Sequence, residues 1–314
     1  PLLAGLFSFL LAASTFAWAD ARQPQLVIFG DSLSDPGNLF ALTQTNNVPT
    51  SYDVDQFLVP NSAYAVGGHH LSNGSTWIED LAKSLGVASN AGPAWRPGAS
   101  PAANYAVAGA RAYDKGQGFD LPDQVSHFLA DLGRQDAPSD ALYVIEFGGN
   151  DIRDALFTGD QTLVGESLKS IFTEVSRLYQ AGARKFFVVN VPSIGLLPSV
   201  RALEPAFPGI SGLGGAADLA TQKFNENLAG VVTMLQGSLP GVEIRPFDLY
   251  ELIKNVSTHP SDFGLADVTT PCITPDIAPY KCRNPDERAF WDGIHPTRAL
   301  HAIIAQQAGQ FLAQ

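Results

Sequence analysis

Polar residues with catalytic potential stand at three places in this sequence, each beside a turn. Ser32 directly follows an apolar run and a Gly-Asp step, and Asn150 follows a second apolar run and two glycines. Asp292 and His295 lie three positions apart in the C-terminal part of the chain. A hydroxyl, an acid–histidine pair and a side-chain amide are the groups that acyl transfer through a serine requires. These residues therefore predict chemistry on a carbonyl group.

Ser32 is the predicted nucleophile. It lies just beyond the end of a predicted strand, where an open α/β sheet carries its reactive groups. Its N–H is expected near the start of the next helix, where negative charge is favoured, so Ser32 also brings a donor for an oxyanion. The alternative role is that of a helix N-cap. Ser34 and Asp35 can serve equally well as caps, which leaves Ser32 free for chemistry.

Asp292 and His295 are the predicted acid–base pair. If their segment is a helical turn, the spacing of three places both side chains on one face. The carboxylate would then fix the tautomer of the imidazole, and the second ring nitrogen would face the serine hydroxyl as general base. The alternatives are a solvated loop histidine and a metal site, whose other ligands the sequence does not identify.

Two further positions are predicted to stabilise an oxyanion. The glycines before Asn150 allow a sharp turn, and its side-chain amide can donate to a negatively charged oxygen. Gly109 follows a short apolar run and can present its N–H without a Cβ in the way. In isolation, each of these two segments is equally compatible with a simple turn.

Short apolar runs alternate with amphipathic segments, and this alternation predicts a parallel sheet with helices on both faces. Continuous apolar runs are typical of strands that are buried on both sides. The predicted strands are 26–29, 105–107, 142–147, 186–191 and 242–247. The predicted helices are 76–85, 121–132, 162–181, 216–239 and 297–312. We expect one domain over residues 20–314.

Composition limits the classes of protein that fit. Of the 314 residues, 45% are hydrophobic and 16% are charged, so the chain can bury a large core. The net charge of −12 argues against a nucleic-acid partner and against tight docking on anionic membranes. The sequence has no dinucleotide-binding motif, no phosphate-binding loop and no Gly-x-Ser-x-Gly nucleophile elbow. The first two absences argue against dinucleotide binding and phosphate-loop binding. Neither a cofactor nor a metal is expected, because acyl transfer through a serine needs none.

The first residues and the cysteines indicate export. Residues 1–19 are almost all apolar or small and end in Ala17-Trp18-Ala19, which is typical of a cleaved secretory signal peptide. A retained membrane anchor is the alternative. The two cysteines, Cys272 and Cys282, lie in one loop-like stretch, and in an exported protein they predict a disulfide. The expected location is secreted or periplasmic.

Four short blocks resemble, in order, the conserved blocks of the GDSL esterase/lipase family, also called the SGNH hydrolases. They are Gly30-Asp31-Ser32-Leu33-Ser34-Asp35, Asn104 to Ala110, Gly149-Asn150-Asp151 and Asp292-Gly293-Ile294-His295-Pro296. The resemblance runs from residue 26 to residue 296. Two further pieces, Leu71-Ser72-Asn73-Gly74 and Asn190-Val191-Pro192, are similar to the secreted phospholipase/lecithinase/hemolysin-like branch of that family.

The resemblance implies a three-layer α/β/α, flavodoxin-like fold and ester hydrolysis through an acyl-enzyme on Ser32. It implies His295 as the base, with Asp292 orienting it. The implied oxyanion hole consists of the N–H groups of Ser32 and Gly109 and the side chain of Asn150. The implied partner is a small-molecule or lipid ester of short or medium acyl length, with transient contact with a lipid surface. No cofactor or metal is implied.

Three alternative functions stay open on the sequence. Related folds remove acetyl groups from polysaccharides, so a carbohydrate O-acetylesterase is one. An acyltransferase is another, because an acyl-enzyme can meet an alcohol instead of water. The third is a secreted binding protein that has kept the fold without the activity, since fold alone does not establish function.

Overall fold

The computed structural model describes residues 25–43, 69–96, 98, 102–204, 212–274 and 279–314. The predicted signal peptide, residues 1–19, lies outside these ranges. Within them, no helix combines the length and the apolar character that crossing a membrane requires.

A parallel sheet forms the centre of the described structure. Its strands are β1 (Leu26–Gly30), β2 (Leu142–Glu146), β3 (Lys185–Val189) and β4 (Glu243–Phe247). They lie in the order β1-β2-β3-β4, and every neighbouring pair is parallel. Their last residues, Gly30, Glu146, Val189 and Phe247, stand in one row of the register. The segments that follow all four strands therefore leave the sheet at one edge.

The predicted strand 105–107 is not a strand in the structure, but its segment runs beside β1. A parallel bridge joins Asn104 to Ile28. The N–H of Val107 donates to the carbonyl oxygen of Gly30 at 3.1 Å. With this segment counted as an edge, the chain order across the sheet is 2-1-3-4-5, the flavodoxin-like order. The predicted fold class is confirmed.

Helices lie between and after the strands. They are α1 (Asn38–Thr43), α2 (Trp77–Ser84), α3 (Leu121–Leu132), α4 (Gly149–Thr158), α5 (Thr162–Gln180), α6 (Pro198–Leu203), α7 (Leu213–Ser238), α8 (Leu249–Thr258) and α9 (Arg298–Leu312). The structure has the five predicted helices as α2, α3, α5, α7 and α9. The other four were given no predicted range, although a helix was expected soon after Ser32. Two of those, α1 and α6, span six residues each, which is too short for a clear helical period.

Alternate residues of each strand point to opposite faces of the sheet and enter two cores. On one face, Val27 and Phe29 of β1 belong to a core that includes α3, α5 and α7. On the other, Leu26 and Ile28 belong to a core that includes α2, α8 and α9. These four side chains are at most 1% exposed. Because both faces are covered, the strand forms an unbroken apolar run in the sequence.

Gly148 makes the turn from β2 into α4. Its φ of 126° lies in a region that residues with a Cβ rarely adopt. A Cβ at this position would lie 2.5 Å from Val191 Cγ2 and 2.6 Å from Phe224 Cε1. Both the backbone angle and the packing therefore require glycine. The sharp turn starts α4 at Gly149 and places Asn150 in its first turn.

Gly148→Ala is expected to lower the free energy of unfolding by about 3 kcal/mol, because backbone strain and overpacking each cost on the order of 1–2 kcal/mol. Gly159→Ala, just after α4, is the matched control: its φ is 73°, and nothing lies within 4 Å of the added Cβ. We expect that control to lose about 1 kcal/mol, from strain alone. Urea unfolding followed by circular dichroism measures both losses. Equal losses would contradict the packing argument.

Candidate active site

Ser32 lies in a tight turn immediately after β1. The N–H of Ser34 donates to the carbonyl oxygen of Asp31 at 3.1 Å. The N–H of Leu33 donates to Asp31 Oδ1 at 3.0 Å. Both hydrogen bonds close the turn that contains Ser32. Ser32 lines a cavity at the edge of the sheet. Asp31 therefore shapes the turn that presents the serine.

The N-terminal end of α1 is capped by Asp35 and not by Ser32. The Asp35 carboxylate accepts hydrogen bonds from the N–H groups of Gly37, Asn38 and Leu39. These donors have no partner of their own inside a helix that begins here. Ser32 is left out of the cap, in agreement with the sequence argument.

Asp292 and His295 lie in a loop whose ends, Phe290 and Pro296, are joined by an antiparallel bridge. Asp292 Oδ1 accepts the N–H of Ile294 at 2.8 Å and that of His295 at 2.7 Å. The segment is a non-helical turn, so the spacing of three does not bring the two side chains together through a helix. The aspartate closes the turn with its own side chain, and this closure brings its carboxylate beside the imidazole.

A hydrogen-bonded series joins Asp292, His295 and Ser32. His295 Nδ1 lies 2.9 Å from Asp292 Oδ2, and His295 Nε2 lies 2.9 Å from Ser32 Oγ. Because a carboxylate only accepts, Nδ1 carries the proton and Nε2 accepts from the serine hydroxyl. His295 is 3% exposed and Asp292 is fully buried, so bulk water does not compete for these bonds. The three residues are arranged for proton transfer from the hydroxyl.

Asn150 lines the same cavity as Ser32. Its Nδ2 donates to the carbonyl oxygen of Ala110 at 2.9 Å and lies 3.3 Å from Asp31 Oδ2. The contact with Asp31 is long for a hydrogen bond. The amide is thus held by one good acceptor, and its second N–H is available to a stronger one.

Gly109 lies in a loop that is bound to the site on both sides. The N–H of the preceding residue, Ala108, donates to Asp35 at 2.8 Å. The carbonyl oxygen of the following residue, Ala110, accepts from Asn150. Gly109 itself has a φ of 85°, which favours glycine. The loop therefore connects the serine turn with the start of α4.

The predicted disulfide between Cys272 and Cys282 is present. The N–H of Cys272 donates to Phe290 at 3.0 Å, and that of Ile273 donates to Trp291 at 2.8 Å. These bonds fasten the disulfide segment to the loop that carries the acid and the histidine. The cross-link therefore supports the histidine side of the site.

An apolar cavity begins beside Ser32 and extends under the histidine loop. Side chains from α8 and α9 form part of its wall, together with residues on the segment after β3 and in the histidine loop itself. Six of these apolar residues are Leu197, Leu249, Ile253, Phe290, Leu300 and Ile304. Ligand sites in proteins are mostly apolar with a few oriented polar groups, and this cavity fits that description.

Two buried carboxyl groups, Asp31 and Glu146, also line the cavity. Burial raises the pKa of Asp31 to about 6, although the N–H of Leu33 and the nearby His295 act in the opposite direction. Burial, reinforced by the neighbouring Asp31, raises the pKa of Glu146 well above its ordinary value. The sequence argument missed both groups. The available signal was a single glutamate inside the apolar run 142–147, two residues before the glycines.

His301 on α9 is a second buried histidine close to His295. Its Nδ1 accepts the N–H of Trp77 at 3.1 Å. Burial lowers the pKa of His301 to about 3, and the neighbouring His295 contributes to the shift. The ring is therefore neutral at physiological pH, and it adds no positive charge beside His295.

A group of carboxylates that could hold a cation lies away from the triad. Ligand oxygens of Asp114, Asp120 and Asp123 come within 4.8 Å of one another, and they are the one such group in the described ranges. Asp120 already accepts the N–H groups of Arg111 and Lys115 at 2.9 and 2.8 Å. These contacts account for the acid as a loop-closing residue.

The geometry defines the class of protein before any comparison. A serine, a histidine and an aspartate in hydrogen-bonded series, at the carboxyl edge of a parallel sheet, are the arrangement of the serine hydrolases. The model of the GDSL-like lipase/acylhydrolase family matches residues 26–308. The chain belongs to this family and is a carboxylic ester hydrolase.

Curated relatives from Arabidopsis thaliana agree with the family match. One GDSL esterase/lipase is 26% identical over 342 residues, covering 95% of this chain and 90% of that protein. Another is 28% identical over 341 residues, covering 95% and 91%. The likeness therefore extends over nearly the whole length of both chains. The phospholipase/lecithinase/hemolysin-like branch stays a prediction.

Two solved structures are similar at low sequence identity. An alpha/beta hydrolase from the metagenome of Lake Arreo, Spain, aligns with a TM-score of 0.48 and 14% identity, covering 92% of this chain and 94% of that one. A carbohydrate acetylesterase from Sinorhizobium meliloti aligns with a TM-score of 0.44 and 14% identity, covering 92% and 97%. The fold assignment rests on the strand order and the family match.

Proposed function

We propose that this protein hydrolyses carboxylic esters through an acyl-enzyme on Ser32. The observation that carries the proposal is the unbroken series from Asp292 through His295 to Ser32, with both links at 2.9 Å. His295 Nε2 takes the hydroxyl proton as Oγ attacks the ester carbonyl, and the same proton then leaves with the alcohol. A water activated by His295 releases the acid. These steps need no cofactor or metal.

The oxyanion that forms during attack needs donors, and we assign three. The N–H groups of Ser32 and Gly109 make no hydrogen bond with another described residue. The amide of Asn150 has one long contact that a stronger acceptor can replace. Donors of this kind contribute about 10²–10³ each to the rate when they are aimed at the developing charge.

The substrate is assigned from the cavity. Its wall beside Ser32 is mostly aliphatic and aromatic, which suits the acyl chain of a lipid or of a short- to medium-chain ester. An acetyl group of a carbohydrate would leave most of this wall without contact. The apolar lining therefore favours acyl esters over the carbohydrate O-acetylesterase alternative.

The remaining parts of the proposal concern processing and location. Residues 1–19 are assigned as a signal peptide and 20–314 as one hydrolase domain. The disulfide at Cys272 and Cys282 supports an oxidising compartment, because such bonds form in secreted and periplasmic proteins. After cleavage of the signal peptide, the protein is then a secreted or periplasmic enzyme that meets its ester substrate outside the cytoplasm.

Ser32→Ala is expected to abolish hydrolysis of p-nitrophenyl esters, since the nucleophile is removed while little packing changes. The kcat of His295→Gln should fall by a similar factor, on the order of 10⁴ or more. A fluorophosphonate probe should label the wild-type protein at Ser32 and neither variant. Melting curves serve as the folding control. Wild-type turnover by Ser32→Ala would remove the assignment, and a wild-type protein that resists the probe would favour a non-catalytic binding role.

Asn150→Ala is expected to lower kcat about 10²-fold or more with KM nearly unchanged, because an oxyanion donor acts mainly in the transition state. Steady-state kinetics on p-nitrophenyl butyrate separates the two constants. Arg153→Gln, on the next turn of the same helix and also lining the cavity, is the comparison variant. A rise in KM with kcat intact would assign Asn150 to ground-state binding instead.

Acyl-chain profiling from two to sixteen carbons tests the substrate assignment. We expect kcat/KM to rise with chain length and reach a plateau at about six to twelve carbons, since each buried methylene contributes about 0.8 kcal/mol. Ile253→Phe narrows the cavity and should lower kcat/KM about tenfold for the longer esters only. Leu252→Phe, its neighbour outside the cavity wall, is the control. Activity confined to the acetyl ester would support the carbohydrate alternative, and ester products formed with added alcohols would support acyl transfer.

A further inference from the structure

Glu146 is a buried acid in the active-site cavity that the proposed mechanism does not use. It is the last residue of β2, is 5% exposed and lines the cavity together with Ser32. In the register of the sheet it stands opposite Gly30, and a Cβ on that glycine would come within 3.0 Å of Glu146 Oε2. The carboxyl group therefore lies directly against the end of the strand that leads to the nucleophile.

The hydrogen bonds of Glu146 reach both sides of the nucleophile. Ser34 Oγ donates to Glu146 Oε2 at 3.1 Å. The backbone N–H of Asp31 also donates to the Glu146 carboxyl group. Behind them, Trp77 Nε1 donates to Ser34 Oγ at 3.0 Å, so the contact continues into α2. One side chain thus binds the residue before Ser32 and the second residue after it.

The surroundings of Glu146 favour its neutral form. Burial raises its pKa well above the ordinary value, and the nearby Asp31 carboxylate acts in the same direction. Burial likewise raises the pKa of Asp31 to about 6, and the N–H of Leu33, followed by His295, Arg153 and Arg111, opposes the shift. Both shifts therefore oppose ionisation of the two neighbouring acids at the same time.

We propose that Glu146 is a positioning residue that fixes the Asp31–Ser34 turn and thereby the Ser32 hydroxyl. The inference rests on the proposed function of Ser32 and adds a residue to it. Glu146 acts through its bonds to Ser34 and Asp31, and it takes no part in proton transfer to the substrate. Since a shift of about 1 Å in a reacting group can cost 10²-fold, loss of these bonds reaches the chemical step.

Ionisation of Glu146 opposes catalysis for a second reason. A charge on Glu146 would stand beside the charged Asp31, and Asp31 lies 3.3 Å from the Asn150 amide. Two buried negative charges near the developing oxyanion raise its energy, because buried charges are only weakly screened. The wild-type enzyme should therefore lose kcat on the alkaline side as Glu146 loses its proton.

Two substitutions test the proposal, with ester hydrolysis by the wild-type protein as the starting point. Glu146→Gln keeps a neutral side chain with an acceptor oxygen, and we expect kcat within about threefold of wild type at pH 7. Its pH profile should lack the alkaline loss of kcat. Glu146→Leu removes both bonds, and we expect kcat to fall about 10²-fold with KM within about threefold. The rate of fluorophosphonate labelling at Ser32 should fall in parallel.

Glu174→Gln is the matched control. Glu174 is also a buried acid, 4% exposed, with a pKa that burial raises, but it lies on α5 and pairs with Arg177 at 2.7 Å. That variant should keep the wild-type pH profile of kcat. The inference is overturned if Glu146→Gln shows the same alkaline loss as wild type, or if a folded Glu146→Leu keeps wild-type kcat. If Glu146→Leu does not fold, the profile of Glu146→Gln decides alone.

The failure of this inference is distinguishable from failure of the proposed function. A wild-type protein that neither hydrolyses esters nor reacts with the probe refutes the role of Ser32, and with it the role of Glu146. The alternative result is an active wild-type protein and an inactive Ser32→Ala variant. If the Glu146 variants then keep the kcat and the pH profile of the Glu174→Gln control, only the positioning role is refuted.

Discussion

The site depends on one hydrogen bond between side chains that are 263 positions apart in the chain, Ser32 Oγ and His295 Nε2. Neither residue is held in place by the other. The serine is fixed by the end of β1 and the Asp31 turn, and the histidine by the loop that Asp292 closes before α9 begins. The bond forms because the carboxyl ends of parallel strands lie at one edge of the sheet. The loop that precedes α9 lies at the same edge.

Polar side chains buried behind this edge hold the second half of the site. Asp151 accepts N–H groups of Ala112 and Tyr113, next to the Asn150 amide. Arg111 forms a two-pronged ion pair with Asp154 on α4 at 2.9 and 3.0 Å. Burial alone would raise the pKa of Asp154, but Arg111 and Lys115 lower it to about 2. The Gly109 loop is thus fastened to α4 by charge-assisted bonds, which are short and directional.

The sequence predicted the elements whose signals are local and long. Five helices and four strands carry a clear period or an unbroken apolar run, and their ends differ by a few residues. The helices α1, α4, α6 and α8 were given no predicted range. In α1 and α6, six residues show too little periodicity, and α4 begins with glycine. The segment at 105–107 was predicted as a strand because its apolar run is too short to separate a strand from an extended edge that makes only isolated pairing bonds.

The sequence singles out polar residues in an unusual setting, and the structure brings them together at one edge of the sheet. Each of them stands beside a turn: Ser32, Asn150, and the pair Asp292 and His295. Ser32 and Asn150 also follow an apolar run that predicts a strand. The sequence suggested that a helical turn could bring Asp292 and His295 together. In the structure, the side chain of Asp292 closes a tight turn instead. Glu146 was not singled out from the sequence because its position depends on register: the pairing of β1 with β2 places it opposite Gly30, against the turn that carries Ser32.

The cavity wall shows how closely specificity and stability are joined in this fold. Leu249, Leu300 and Ile304 line the cavity, and they also belong to the core that α8 and α9 share with one face of the sheet. A larger side chain there shortens the cavity, but it also overpacks the core and lowers the stability of the fold. A smaller one lengthens the cavity while it removes buried apolar contact. The acyl range of such an enzyme is therefore easier to change from the segment after β3, where Val200 and Leu203 line the cavity and are only partly buried.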